Sequence, residues 1–374
     1  MGIAQCYRQT VSALCEECVR TVGEAAAWDN RIHNRVRPKP ASRAHRERYG
    51  INTDGFVTRR TIVSDVVRRR NVSRISIAAA SDFVGMPNTA PPGVLFPYCL
   101  DFLRARALYV GGVDADAVQA AAFYYLHLRR HASQLASVPI EQLAPAAAVD
   151  DPVFLFSPGR CGSTLMSRVL YEAGIASVSE PDFYTQLAAW FWSRSANPLA
   201  PPFHAAMRRM SGDLIAALGQ VPVVKLRAEC ARAPHLFVAG PERPAIMLFR
   251  RFDTWSRSTA QAFAASPAKA VGKYMTALRC LAWLRNNSRC HLARYEDWLS
   301  DPVAASRSLG EFLGRPVSNI AVARAMGSHS QAGTPLESRI RPGWEQRWAG
   351  AMALWHTPRL VTARNRLDLP NVWD

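Results

Sequence analysis

From residue 150 onward, short unbroken apolar runs alternate with stretches in which apolar residues return at helical spacing. Val153 to Phe156 and Ala245 to Phe249 are apolar on consecutive positions, and Pro222 to Leu226 at all but Lys225, which predicts buried strands; His291 to Tyr295 is a further candidate. Between them, Ser163 to Glu172, Phe203 to Leu218 and Trp255 to Phe263 place apolar side chains on one helical face, and Gly174 is placed to end the first of these helices. Strand and helix in alternation predict an α/β fold with a largely parallel sheet. Ligand groups are then expected beyond the carboxyl ends of its strands.

The first half of the chain reads differently. A helix is expected over Val11 to Ala26, followed by an arm rich in proline and arginine in which Pro38 and Pro40 interrupt any helix. Phe83 to Pro97 reads as loop, and Leu100 to Ala136 as mainly helical, with Val118, Ala122, Tyr125 and Leu126 on one face and Asp114 or Asp116 as cap. Tyr124, Tyr125 and His127 read as packing or surface residues. The division expected is therefore a mostly helical region, 1–150, and an α/β domain, 151–374, joined by the small-residue stretch Pro145 to Pro152.

Composition narrows the class. The chain has 374 residues, 49% of them hydrophobic, enough for a large core. A formal charge of +17 favours anionic ligands, whether nucleic acid, acidic lipid or phosphorylated small molecules. Eight cysteines in this length do not make a disulfide scaffold, and the Cys15, Cys18 pair has no second pair with which to hold zinc. No metal site is expected. Neither a signal-peptide core nor a membrane span is evident, so a cytoplasmic protein is expected.

The chemistry concentrates in VFLFSPGRCGSTLMSRVL, residues 153–170, where a strand breaks into a turn of glycines and hydroxyls around Arg160 and a helix follows. Gly159 and Gly162 permit close backbone approach to a ligand, and the helix start offers amides to an anion. Arg160 adds a multidonor cation, while Ser163 and Thr164 add hydroxyls. This is an anion-holding loop of the P-loop type. No lysine precedes Ser163, which counts against a nucleoside triphosphatase; Cys161 and Arg168 are poorly spaced for a cysteine phosphatase, and Cys161 reads as a small packing residue.

FSPGRCGSTLMSRVL resembles the 5′-phosphosulfate loop of the sulfotransferase family that uses 3′-phosphoadenosine 5′-phosphosulfate, commonly PxSGTTxL with a cation at the first x. Arg160 stands at the cation, Gly162 at the glycine, Ser163 and Thr164 at the hydroxyl pair and Met166 at the last apolar position; Gly159 and Cys161 replace proline and serine. A second segment, Arg250-Arg-Phe-Asp-Thr-Trp-Ser-Arg-Ser258, follows a strand and is similar to that family's 3′-phosphate segment, RNPxDxxxS. Arg250 and Ser258 match, whereas Arg251, Phe252 and Thr254 depart from it. Residues 294–302 and the FLG at 312–314 resemble a scaffold segment, with Asp301 as a helix cap. Arg339 to Trp344, including Arg341, faintly resembles the basic segment that closes over the nucleotide.

The resemblance covers about Asp151 to Trp348 and is bacterial in style. It implies a three-layer α/β fold, sulfuryl transfer to a hydroxyl or amine, no metal, and adenosine 3′,5′-bisphosphate as product. The glutamate that acts as base in several such enzymes falls at Glu180, beside Pro181 and Asp182. Lys225, at the end of a strand, is placed to touch the transferred group or the acceptor, and His204, His235 and His329 are alternative bases. Phe183, Tyr184, Trp190, Phe191 and Trp192 are candidates either for an apolar acceptor cleft or for the core. The acceptor class stays open among small molecules, lipids, carbohydrates and carrier-bound groups. Two other functions stay open too: a kinase with an irregular loop, and a basic nucleic-acid-binding protein, for which the arginine-rich stretches lack interleaved aromatics.

Overall fold

A computed structural model describes residues 94–101, 105–143, 151–193, 201–238, 240–327, 340–369 and 371–373. The helix expected over Val11 to Ala26, the arm after it and His329 lie outside them.

The described chain opens with β1 (Phe96–Asp101) and β2 (Arg106–Gly111), continues through two short helices, α1 (Ala115–Ala120) and α2 (Tyr124–His131), and returns as β3 (Gln134–Pro139). The three strands form an antiparallel sheet in the order β1, β2, β3. The helical expectation for Leu100 to Ala136 thus holds only for α1, which Asp114 caps by accepting from the Ala117 amide at 2.7 Å, and for α2. Helical periodicity in the middle of the run hid strands at both of its ends.

The larger sheet comprises β4 (Val153–Phe156), β5 (Ser177–Ser179), β6 (Val223–Lys225), β7 (Pro244–Phe249) and β8 (Arg289–Arg294). Its order is β5-β6-β4-β7-β8 and every pairing is parallel. Helices supply the crossovers: α3 (Ser163–Glu172), α4 (Asp182–Ser193), α5 (Pro201–Leu218), α6 (Phe252–Ala262) and α7 (Pro267–Asn287). The chain continues through α8 (Tyr295–Ser300), α9 (Pro302–Leu313), α10 (Asn319–Met326), α11 (Trp344–Trp355) and α12 (Pro358–Asn365). Helices on both faces of a parallel sheet give the expected three-layer α/β arrangement.

Sequence explains the main joints. Val153 to Phe156 carries no polar side chain and sits in the centre of the sheet, between β6 and β7. Gly174, at φ 71°, takes the left-handed conformation that ends α3. Asp301 caps α9, accepting from the Ala304 amide at 2.9 Å. The core holds Phe154, Phe156, Phe183, Tyr184 and Phe237 in mutual ring contact, so Phe183 and Tyr184 belong to the core and not to a cleft.

The small antiparallel sheet is fastened to the same body. Gln186 of α4 accepts from the Leu100 amide at 2.8 Å and returns a bond to its carbonyl at 3.3 Å, and Tyr109 donates to Asp213 of α5 at 2.7 Å.

Candidate functional site

Because all five strands run the same way, the residues that follow them collect at one edge of the sheet. β4 leads into the Arg160 loop, β7 into Arg250, β6 ends at Lys225, β5 runs into Glu180, and β8 into Tyr295. The chain leaves β4 toward β5 on one flank and later returns past it to β7 on the other, which makes this edge a switch point.

The loop after β4 is shaped by left-handed residues: Gly159 at φ 72°, Arg160 at 59° and Gly162 at 86°. Gly162 is required twice over. A Cβ there would lie 2.3 Å from Tyr295 Cδ2, and the positive φ disfavours any side chain. Gly162 also occupies the cap position of α3 without a side-chain acceptor for the first-turn amides, which leaves a helix start suited to an anion. Trp255 Nε1 donates to the Gly159 carbonyl at 2.6 Å and ties the loop to α6. Cys161 turns inward, fully buried, with Sγ 3.5 Å from the Leu248 carbonyl; burial pushes its thiol up to about 11, far from a nucleophile's range.

Arg160 is a non-glycine residue held in a strained backbone region, a feature that concentrates at working sites. Its Nε donates to Ser258 Oγ at 3.3 Å across a separation of 98 residues. Arg250 lies beside it: burial and the facing Arg250 guanidinium both push Arg160 below the usual guanidinium value. Among the described residues neither guanidinium forms an ion pair with a carboxylate. Arg250 Nε donates to Thr254 Oγ1 at 3.1 Å, its carbonyl accepts from Tyr274 at 2.7 Å, and its guanidinium lies 4.7 Å from the Tyr295 ring centre. Two cations that repel each other thus stand at the glycine loop, neither in an ion pair with a described carboxylate.

On the other side of β4 the charges are matched. Lys225 Nζ is 3.1 Å from Glu180 Oε1 and donates to Ser179 Oγ at 3.0 Å and to Thr164 Oγ1 at 3.2 Å. Arg227 Nε stands 3.3 Å from Glu180 Oε2 and 2.9 Å from Asp182 Oδ1, and its Nη2 donates to Asp182 Oδ2 at 3.2 Å. Lys225, Arg227 and Asp182 are buried, and the Glu180 side chain is 14% exposed. Glu180 also sits at a left-handed φ of 63°, and its amide donates to the Lys225 carbonyl at 2.8 Å. Burial alone would raise its carboxyl, but Lys225 and Arg227 override this and hold it below the ordinary carboxylate value.

That depressed value has a testable sign. A carboxyl lowered in the folded state contributes stability that is intact above its unfolded value, about 4.5, and is lost as pH falls through the folded one. The variant E180Q should therefore flatten the acid side of the curve of thermal midpoint against pH, measured by calorimetry, relative to wild type. An unchanged acid slope would mean the carboxylate is not held in this way.

The remaining sequence candidates are placed as follows. Ser163 is buried at the start of α3, next to Thr164. Arg341 anchors its segment through its amide, which donates to the Gln261 carbonyl at the end of α6, at 2.9 Å. His204 Nε2 is 3.2 Å from the Leu236 carbonyl, while His235 packs on Trp283 and is lowered by burial to about 4.

Three participants are missing from the sequence reading. Arg227 is two residues beyond Lys225, so strand alternation returns it to the same side; a second cation at that spacing is the signal. Tyr295, read as scaffold, backs both Gly162 and Arg250. Lys273 of α7 has its Nζ 3.6 Å from where a Gly159 Cβ would stand and acts electrostatically on Glu180; nothing in its surrounding sequence marks it.

No protein-family model matches the chain, and no curated protein does. Among solved structures, sulfotransferase STF9 from Mycobacterium avium is similar at 12% identity and a TM-score of 0.43, over 86% of this chain and 100% of that one. The sulfotransferase domain of the curacin biosynthetic pathway gives 16% and 0.38, over 59% and 97%. The corresponding domain of the Synechococcus PCC 7002 olefin synthase gives 16% and 0.37, over 61% and 99%. Likeness at these scores transfers neither a fold nor an activity.

Proposed function

We propose that the chain is a sulfotransferase, moving a sulfuryl group from 3′-phosphoadenosine 5′-phosphosulfate to a hydroxyl or amine and leaving adenosine 3′,5′-bisphosphate. The observation that carries this reading is the meeting of Arg160 with Ser258 and Arg250, 98 and 90 residues away in sequence, with no carboxylate paired to either guanidinium among the described residues. Such a donor set suits a ligand with two separated anionic groups. Arg160, the 159–162 backbone, Ser163 and Thr164 would hold the 5′-phosphosulfate end; Arg250 and Ser258 would hold the 3′-phosphate, with Arg341 on the closing segment.

When bound, the donor supplies an activated sulfuryl group on a phosphate leaving group. Arg160 and the α3 amides then stabilise the charge that gathers on that phosphate. Lys225 fixes Thr164 on one side and Glu180 on the other, so the loop hydroxyl and the carboxylate are positioned together. A carboxylate held by two cations is a weak base. Glu180 therefore takes the acceptor's proton only as the new oxygen–sulfur or nitrogen–sulfur bond forms and that proton becomes acidic, while the bond from sulfur to the phosphate oxygen breaks.

A phosphoryl transferase is the second reading, favoured by one observation: Lys225 brings to Thr164 the lysine that the loop itself lacks. Calorimetry separates the two. Adenosine 3′,5′-bisphosphate should bind without magnesium and at least about tenfold more tightly than ATP with magnesium, a difference of about 1.4 kcal/mol. Equal binding, or tighter ATP, would sink the sulfuryl reading.

A further inference from the structure

The corner between α1 and α2 belongs to a part of the chain with no motif of its own, yet it reaches the buried charges beside the loop. Phe123 places its ring centre 5.4 Å from Lys225 Nζ, and Tyr125 places its own 4.6 Å from the Arg227 guanidinium carbon. Both rings are buried, Phe123 at 5% exposure and Tyr125 at 0%, and their centres are 6.5 Å apart. They meet the two cations that grip Glu180, one ring to each cation. A cation over an aromatic face is attracted by the ring's electron density, and more strongly where water is excluded.

We propose that Phe123 and Tyr125 are positioning residues of the site: their faces hold Lys225 and Arg227 in place on Glu180, so the small antiparallel sheet is part of the working apparatus. The catalytic consequence rests on the sulfuryl-transfer reading; the hold on the cations does not. Of the charged and titratable groups around Glu180, Lys225 and Arg227 follow from β6, Asp182 starts α4, Lys273 comes from α7 and Tyr125 from α2. Among the described residues the α1–α2 corner covers two of them with rings, and Phe263 lies 5.9 Å from a third, Lys273. The sheet holds this corner firmly, since Tyr124 between the two rings donates to the Pro97 carbonyl at 2.7 Å and is itself fully buried.

The test is competitive lysine acylation of the full-length chain with acetic anhydride, read by peptide mass spectrometry, beside thermal melts of each variant. In F123L, which keeps apolar bulk but loses the aromatic face, Lys225 should react about three- to tenfold faster than in wild type, while F123Y should restore protection. F123A should react at least as fast as F123L. For Tyr125, whose ring lies on Arg227, the readout is arginine labelling with phenylglyoxal: the Y125F variant should keep Arg227 as protected as wild type, and Y125L should not. Protection in F123L equal to wild type would reduce Phe123 to an apolar filler and overturn the proposal, as would a Y125F variant as reactive as Y125L. Should F123A melt below the assay temperature, the F123L and F123Y pair carries the decision. Calorimetry with adenosine 3′,5′-bisphosphate runs on the same proteins. Affinity within about threefold of wild type in F123L is expected, and its loss there would make Phe123 a donor-site residue and overturn its positioning role. No binding by wild type would remove the sulfuryl reading and leave the acylation contrast to decide the role of the rings.

Discussion

Replacing Arg160 by glycine is expected to separate binding from folding. In the proposed site the side chain is the cation of the loop, and losing its charge-assisted contact to the ligand should weaken adenosine 3′,5′-bisphosphate binding by about 10- to 100-fold, from about 1.5–3 kcal/mol. The backbone responds in the opposite sense. Arg160 sits at φ 59°, and a non-glycine residue there costs about 1–2 kcal/mol that glycine does not. Only the 3.3 Å contact to Ser258 is lost in exchange, and the repulsion with Arg250 goes with it. The thermal midpoint of R160G should thus equal or exceed that of wild type, whereas R160A loses the ligand without relief of the strain. Calorimetric titration beside thermal melts reads both effects. A glycine variant that binds as wild type does would remove Arg160 from the site.

The largest loss of stability is expected from R227M. Arg227 is buried between two carboxylates, Asp182 with a 0% exposed side chain and Glu180; removing it takes the guanidinium from Asp182 and leaves Glu180 to Lys225. Breaking a buried ion pair from one side costs about 3–5 kcal/mol, since the remaining charge is left without compensation. Urea unfolding of R227M should show that loss. The double variant D182N/R227M should recover part of it, because only Glu180 then remains charged and Lys225 still holds it. A single variant within about 1 kcal/mol of wild type would show that water reaches the cluster.

These two expectations also mark what the sequence made legible. The β4 strand, the loop and α3 stand out because the pattern there is local: an apolar run, two glycines, a hydroxyl pair and a helical period. The meeting of Arg160 with Ser258 could be expected only as matching motifs, since the distance between them is fixed by strand order. β5 escaped notice because it is three residues long and two are serine, poor material for a buried strand. Ser179 has a reason to be there: its hydroxyl accepts from Lys225. A local rule gives way where the site needs a polar group. Arg227 lies beyond the apolar run, where a cation reads as surface, and an aromatic such as Phe123 in a helical-looking stretch reads as core. Phe123 is indeed core on most sides, and its remaining face meets a cation. Glu180 was legible as a candidate, but not the pair of cations that makes it a weak base.

On the proposed reading, the pair Arg160 and Arg250 would make the medium part of the molecule's thermodynamics. Inorganic sulfate, phosphate or citrate bound at the two guanidinium groups would add its own mass-action contribution to every melting curve. Stabilities recorded in different buffers would then refer to different ligation states, and a variant would be ranked against the parent chain only when the small anion and its concentration are the same for both.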